Sequence, residues 1–198
     1  MKIRKLFKYE NAHIVRNCTS ERCSHSIHGH SYIVEVVLKG NKLDNGMMIY
    51  DFGLMKGTIK DIIDSFDHAI TVWDKDEELV NVAKNYSDRH IILPMSSSAE
   101  AQSILLFKII QEILKHTKMN NGEGKVKVHK VRVHETATGW AEAKKKDLNL
   151  IDFDLKDIIF SDQIKSEWKD PEMWDKLLKA IETGEKIFKN PKIDLQIK

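Results

Sequence analysis

Cys23-Ser24-His25-Ser26-Ile27-His28-Gly29-His30 runs directly into Ser31-Tyr32-Ile33-Val34-Glu35-Val36-Val37-Leu38. His28 and His30 stand at the mouth of an apolar, β-branched run. In a strand, side chains two apart leave the same face, so both imidazoles can point at one object. Gly29 between them leaves room for close approach. A third histidine, His13, ends an earlier strand that alternates Ile3, Lys5, Phe7, Tyr9 and continues through Asn11-Ala12. Three nitrogen ligands with one open position are what a catalytic zinc uses. The plainer alternative is three unrelated polar residues on wet strand ends, and spacing alone leaves both readings open.

Outward from this stretch, residues 16–26 are polar and read as a loop. Asn45-Gly46 is the sharpest turn signal after the second strand. Asp51 is placed as the N-cap of a helix to Phe66, with Met55, Ile59, Ile62, Ile63 and Phe66 on one apolar face. Residues 74–88 read as a short charged helix with a loop, and Arg89–Leu93 as an edge strand stopped by Pro94. Ser97 and Glu100 fit a capping box before a long helix to Lys115 with a broad apolar face. Val126, Val128, Val131 and Val133 form a strand whose apolar phase slips after 128, which predicts a bulge. Thr138-Gly139 turns into a last strand, Trp140 to Lys144. The order strand-strand-helix-helix-strand-strand predicts an α+β fold, an antiparallel four-stranded sheet with both helices on one face. The domain is read as residues 1–146. Residues 147–198 follow as a partly helical C-terminal extension, with Pro171 at the first position of a helix that carries Trp174, Leu177, Leu178 and Ile181.

Composition excludes several classes. With 198 residues, 41% hydrophobic and 31% charged, the chain is an ordinary globule with a sizeable core. A net charge of +2 gives no field that argues for nucleic acid. No apolar run is long enough to span a membrane, and charges interrupt the first eight residues where a secretory signal would be apolar. Cys18 and Cys23 form no disulfide framework. A cytoplasmic protein with free thiols is expected.

Several further residues carry chemistry. Cys23 lies beside Arg22 and His25, and a thiol near cations or a metal has a larger thiolate fraction, fit to act as base or nucleophile. Cys18 is its rival, and an exposed idle thiol the plain alternative. Asp67-His68 could relay protons, although adjacent residues rarely face each other within one chain; a helix C-terminus alone also suits a histidine. Glu135 shares the parity of Val131 and Val133, so it faces inward and needs a partner, or else reaches water at the strand end.

In this order the segments resemble the 6-pyruvoyl-tetrahydropterin synthase and 6-carboxytetrahydropterin synthase family. The resemblance is carried by Phe7–His13, Cys23 with His28-Gly29-His30, Met48–Phe52, Phe66-Asp67-His68, Pro94–Glu100 and Val133-His134-Glu135-Thr136. It covers residues 1–144. Four residues separate Cys23 from His28, one more than is usual in the bacterial carboxy-type enzymes and one fewer than in many pyruvoyl-type enzymes.

The resemblance implies the tunnelling fold, with subunits closing into a barrel, usually a hexamer of two trimers, and sites at subunit interfaces. It implies that His13, His28 and His30 hold Zn²⁺, that Cys23 moves protons on the substrate side chain, and that Asp67 and His68 relay them. Glu135 would grip the pterin ring, with Ser98 near its pocket. The implied activity is a lyase converting 7,8-dihydroneopterin triphosphate to 6-carboxy-5,6,7,8-tetrahydropterin, with release of acetaldehyde and triphosphate, for 7-deazaguanine and queuosine synthesis. The alternatives are 6-pyruvoyl-tetrahydropterin synthase and a homologue that binds pterin or zinc without catalysis. Arg16, Arg22, His25 and Lys56 are the candidate triphosphate ligands.

Overall fold

The computed structural model describes residues 1–194. Its first elements are β1 (Lys2–His13), α1 (Glu21–His25), β2 (His28–Lys39), α2 (Thr58–Asp64), β3 (Ala69–Trp73), α3 (Glu77–Tyr86) and β4 (His90–Leu93). They are followed by α4 (Ala99–Lys115), β5 (Thr117–Lys118), β6 (Lys127–His134), β7 (Trp140–Ala143), β8 (Ile159–Phe160), α5 (Asp162–Glu167), α6 (Met173–Thr183) and β9 (Phe188–Lys189).

The alternating residues of β1 and β2 pair antiparallel along their whole length, from Lys2 opposite Lys39 to His13 opposite His28. With β6 and β7 they make the expected antiparallel sheet, in the order β7-β6-β2-β1. The face bearing Phe7, Tyr9, Val34, Val36, Val131 and Val133 is buried in one core with α2 and α4. The phase slip is a bulge: Val37 pairs Lys130 while Leu38 pairs Val128, so His129 is the extra residue.

The sheet is longer than four strands. Among the described residues it has seven, continuing β1-β3-β4-β8. β3 pairs parallel with both β1 and β4, and β8 of the C-terminal extension pairs antiparallel with β4. β4 is therefore interior, not the edge strand its sequence suggested. α3, capped by Asp76, packs on β3 and β4 around a second small core of Ile14, Val72, Leu79, Ala83 and Ile92.

Four local expectations shift. The polar stretch before β2 contains the short helix α1. α2 starts at Thr58, because Gly53 and Gly57, poor helix formers, interrupt the run. The Asp51 carboxylate instead accepts from the Gly53 amide at 2.6 Å in a turn. The N-cap of α4 is Ser98, whose hydroxyl accepts from the Ala101 amide; Ser97 and Glu100 form no capping box. α6 starts at Met173, so Pro171 belongs to the preceding turn and not to the first helical position.

The extension is packed into the main core. Phe160 meets Trp168 and Trp174 edge-on at ring separations of 5.3 and 5.0 Å, and the Trp168 indole donates to the Ser65 hydroxyl at 2.9 Å. Among the described residues no helix is long and apolar enough to cross a membrane.

Candidate metal centre and its surroundings

The register that sets His13 opposite His28 and Asn11 opposite His30 brings three imidazoles to one face at the end of the β1–β2 pair. Ring centroids are 4.6 Å apart for His13–His28, 5.3 Å for His13–His30 and 5.2 Å for His28–His30. One nitrogen from each lies within 4.8 Å of the others, close enough to share an ion. Gly29 faces away, where a Cβ would come within 3.2 Å of the Asn11 carbonyl oxygen. The close approach it permits is that of strand β1.

Two of the rings have their tautomer set by the backbone. His13 Nδ1 lies 2.6 Å from the Ser97 carbonyl oxygen, and His28 Nδ1 lies 2.9 Å from that of Ser26. A carbonyl only accepts, so Nδ1 carries the proton and Nε2 keeps its lone pair for a metal. Burial pushes His13 down to about 4 and the neighbouring His28 and His30 add to this, against the Ser97 hydrogen bond. The ring is neutral at neutral pH, as a ligand must be. The donor set therefore fits a divalent metal ion.

Several supporting residues escaped the sequence reading. Tyr32 continues the series His28, His30 on the same face, and its hydroxyl lies 3.4 Å from both His13 ring nitrogens and 3.4 Å from Glu135 Oε1. Period-2 alternation could have found it. Tyr9 donates to the Gln102 side-chain oxygen, and the Gln102 amide reaches the Ser97 hydroxyl at 3.1 Å. Burial pushes both phenols up, so they stay protonated donors. This relay fixes Ser97, and Ser97 fixes His13.

Glu135 stands just beyond β6, its carboxylate 3.8 Å from His13 Nε2 and its side chain 31% exposed. Ser98 spends its hydroxyl on the α4 cap; its neighbour Ser97 is the one that touches His13.

Asp67 and His68 do face each other, contrary to the sequence expectation. His68 Nδ1 lies 2.9 Å from Asp67 Oδ2, and the Glu10 amide donates to Oδ1 at 2.8 Å. Burial would raise the Asp67 carboxyl, but the Glu10 amide, His68 and Arg89 outweigh it and hold the group below its usual range. The pairing is possible because His68 has φ = 50°, a left-handed backbone uncommon outside glycine. The buried Asn11 amide clamps the turn by donating to the carbonyls of Phe66 at 2.9 Å and Ala69 at 2.8 Å. The His68 side chain is 77% exposed. It borders one shallow cleft with His30, and a second groove with Asp67, Lys5, Lys8 and Lys56.

Cys23 sits in α1, held by the Val15 amide donating to its carbonyl at 2.9 Å. It is half-buried and free, and is not part of the histidine cluster. The Cys18 thiol donates to the Ser20 carbonyl at 3.3 Å. Arg16 is committed to Asp76 at 2.5 Å and the Ser24 carbonyl at 2.7 Å. Of the candidate phosphate ligands, only Lys56 borders the Asp67–His68 groove.

Three protein ligands leave a position open, which is the pattern of catalytic rather than structural metal sites. The class that fold and site define is thus an enzyme with a mixed sheet whose antiparallel half carries, at its strand ends, a histidine cluster able to hold a metal. The profile of the 6-pyruvoyl tetrahydropterin synthase family matches residues 2–146. The chain is 40% identical over 185 residues to the 6-carboxy-5,6,7,8-tetrahydropterin synthase of Helicobacter pylori strain J99, covering 90% of this chain and 92% of that protein. It is 30% identical to the Aquifex aeolicus enzyme of the same name, over 73% of this chain and 98% of the relative. A crystal structure of an uncharacterized Wolinella succinogenes protein superposes with a TM-score of 0.59 at 19% identity, covering 73% of this chain and 98% of that one. A Plasmodium vivax 6-pyruvoyltetrahydropterin synthase structure gives 0.51 at 18% identity, covering 72% and 97%, so the fold is shared. The chain belongs to the 6-pyruvoyl tetrahydropterin synthase family of lyases. The Helicobacter match covers too much of the chain to stop at residue 146, so part of the extension has a counterpart there.

Proposed function

We propose that this enzyme is a zinc-dependent 6-carboxy-5,6,7,8-tetrahydropterin synthase, acting on 7,8-dihydroneopterin triphosphate and releasing acetaldehyde and triphosphate. The observation that carries the reading is the convergence of His13, His28 and His30 within 4.8 Å with Nδ1 of two rings already occupied, in a chain 40% identical to an enzyme of that name. Bound there, zinc supplies Lewis acidity to a substrate oxygen.

The chain's own residues do the rest. Ser97 and Tyr32 hold the His13 ring in place. The Glu135 carboxylate accepts from the N–H edge of the pterin and fixes its orientation. The Cys23 thiol exchanges protons on the substrate side chain. Asp67 keeps the His68 ring oriented through the 2.9 Å contact at Nδ1, which suits His68 to pass protons on. His68 is exposed, so this pair serves a site shared with a neighbouring subunit.

Assembly into a barrel-forming homo-oligomer, a hexamer in this reading, is supported by the sheet. β1 pairs β3 only through Asn11–His13, so the outer edge of Lys2–Tyr9 carries no ladder partner among the described residues. An unpaired strand edge is a template for a second chain. Residues 1–146 carry the catalysis and the described part of the extension, 147–194, braces it, in the cytoplasm, as part of 7-deazaguanine and queuosine synthesis.

Incubation with 7,8-dihydroneopterin triphosphate should yield acetaldehyde and 6-carboxy-5,6,7,8-tetrahydropterin together. Triphosphate elimination without acetaldehyde would reassign the chain to the pyruvoyl-forming reaction.

A further inference from the structure

At the end of the sheet away from the histidine cluster lies a cavity of about 740 Å³ between the C-terminus of α4, the start of β6 and the end of β7. Among the described residues its lining holds eight lysines and His129 and no carboxylate, in a chain whose Lys+Arg and Asp+Glu number 32 and 30. Chance mixing of nearly equal charges does not give that.

Local roles explain only part of it. Lys115 suits the C-terminus of α4 and bonds Glu112 at 3.0 Å, and Lys144 bonds Glu142 at 2.9 Å. Lys186 donates to the Thr117 carbonyl. Among the described residues, Lys39, Lys125, Lys127, Lys145 and Lys146 have no carboxylate within 4.0 Å. The floor is apolar, formed by Leu114, Met119, Val126 and Val128. The bulge in β6 adds His129 to this wall beside Val128. His129 registers the field: its pKa is lowered by partial burial and then by Lys2, Lys39, Lys130 and Lys144.

We propose that this cavity binds a small polyphosphate anion, of the inorganic or nucleoside triphosphate type, at a site separate from the histidine cluster. Unpaired ammonium groups around one space repel each other, and a multivalent anion relieves that repulsion. The cavity could hold a drug-sized ligand. The inference rests on the cavity alone and stands whether or not the reaction proposed above is correct.

The test uses the full chain at low ionic strength, titrated with inorganic triphosphate while the histidine ring signals are followed by NMR. His129 is assigned through H129Q. Saturable binding should raise the His129 pKa, because a nearby anion favours its charged form. Charge reversal in K127E/K146E should weaken binding by at least about tenfold, since like charges repel the ligand, with no change in metal content. Adenosine triphosphate separates the two sources: tighter binding than inorganic triphosphate assigns the apolar floor to a nucleoside, and equal binding assigns the site to phosphate alone. An unmoved His129, undiminished affinity in K127E/K146E, or equal affinity for orthophosphate would overturn the proposal. So would displacement by RNA in proportion to its length, which would mark a nucleic-acid surface instead.

Discussion

The Nδ1 of His13 lies 2.6 Å from the carbonyl oxygen of Ser97, tying a ring on strand β1 to the residue just before the cap of α4. One contact thus couples the candidate metal centre to the longest helix. It also decides which nitrogen remains available, because the carbonyl can only accept a hydrogen bond, which puts the ring proton on Nδ1.

That burial has a pH consequence for metal-free protein. The folded His13 takes up a proton only near pH 4, whereas an ordinary histidine does so near 6.5. Between these values the unfolded chain binds more protons, so stability falls as pH falls. The contribution is complete above about 6.5, lost progressively down to about 4 and constant below. Its upper size is roughly 3 kcal/mol. Urea midpoints of the metal-free protein across this range should decline, and H13Q should flatten that decline. A wild-type curve that is level from pH 7 to 4 would contradict the environment described for His13.

Removing any one of the three imidazoles should remove the metal. H28A and H30A should purify with far less than one equivalent by elemental analysis, while H25A keeps its metal. His25 is exposed, its Nδ1 lies 2.8 Å from the Ser24 hydroxyl, and it is outside the cluster. Losing one of three ligands typically costs far more than the 10–100-fold attributed to an outer-sphere partner. Full metal in H28A would remove the basis of the zinc assignment.

The parts that were legible in the sequence share one property: their side chains repeat at a period that survives isolation from the rest of the fold. Ile3–Tyr9 alternates, Tyr32–Leu38 is a β-branched apolar run, and the two-residue period of a strand brought His28 and His30 to one face. The phase slip between Val128 and Val131 announced the bulge. β3 and β4 were harder because both take part in parallel pairing, where strands covered on both faces read as apolar runs without alternation. β8 is two residues long and exists only because β4 offers an edge. The Asp67–His68 pair depends on one positive φ, and no spacing rule reports that. The Tyr9–Gln102–Ser97 relay joins residues 93 apart in sequence, so it is invisible until the chain is folded.

The C-terminal extension should be indispensable to stability. Trp168 is buried against Phe160 and bonds Ser65, which lies just past the end of α2. W168A should cost about 3–5 kcal/mol, the range for deleting a large buried aromatic. A chain ending at residue 149 should lose β8 and expose β4, and light scattering should report aggregation rather than a defined oligomer. A truncated chain with unchanged subunit count and solubility would show the extension to be an idle appendage.

Tyr32 should act by positioning. Its hydroxyl lies 3.4 Å from both His13 and Glu135 and so links the two groups, whose own separation is 3.8 Å. Y32F removes only that oxygen from a buried site, and the net loss of one such hydrogen bond is about 0.5–1.5 kcal/mol. The expected result is unchanged metal content with a KM several-fold higher, since Glu135 loses a donor that holds it in place. A wholly structural tyrosine would lower the melting temperature and leave KM alone, and that outcome would reassign it.

The two thiols should separate cleanly. The Cys18 thiol donates a hydrogen bond to the Ser20 carbonyl, while among the described residues the Cys23 thiol has no such partner and lies on a helix anchored to β1 through Val15. In the mechanism proposed above Cys23 is the proton carrier and Cys18 is not. C23A should retain the metal and the fold but lose turnover by at least about a hundredfold, the lower end of what general acid–base catalysis contributes. C18A should retain both metal and turnover. Proton exchange at the substrate side chain, followed in deuterated water, is the sharper readout because it reports the step assigned to the thiol without requiring product release. If C23A still exchanges that proton at the wild-type rate, the base is another group, and His68 with its Asp67 partner becomes the next to test.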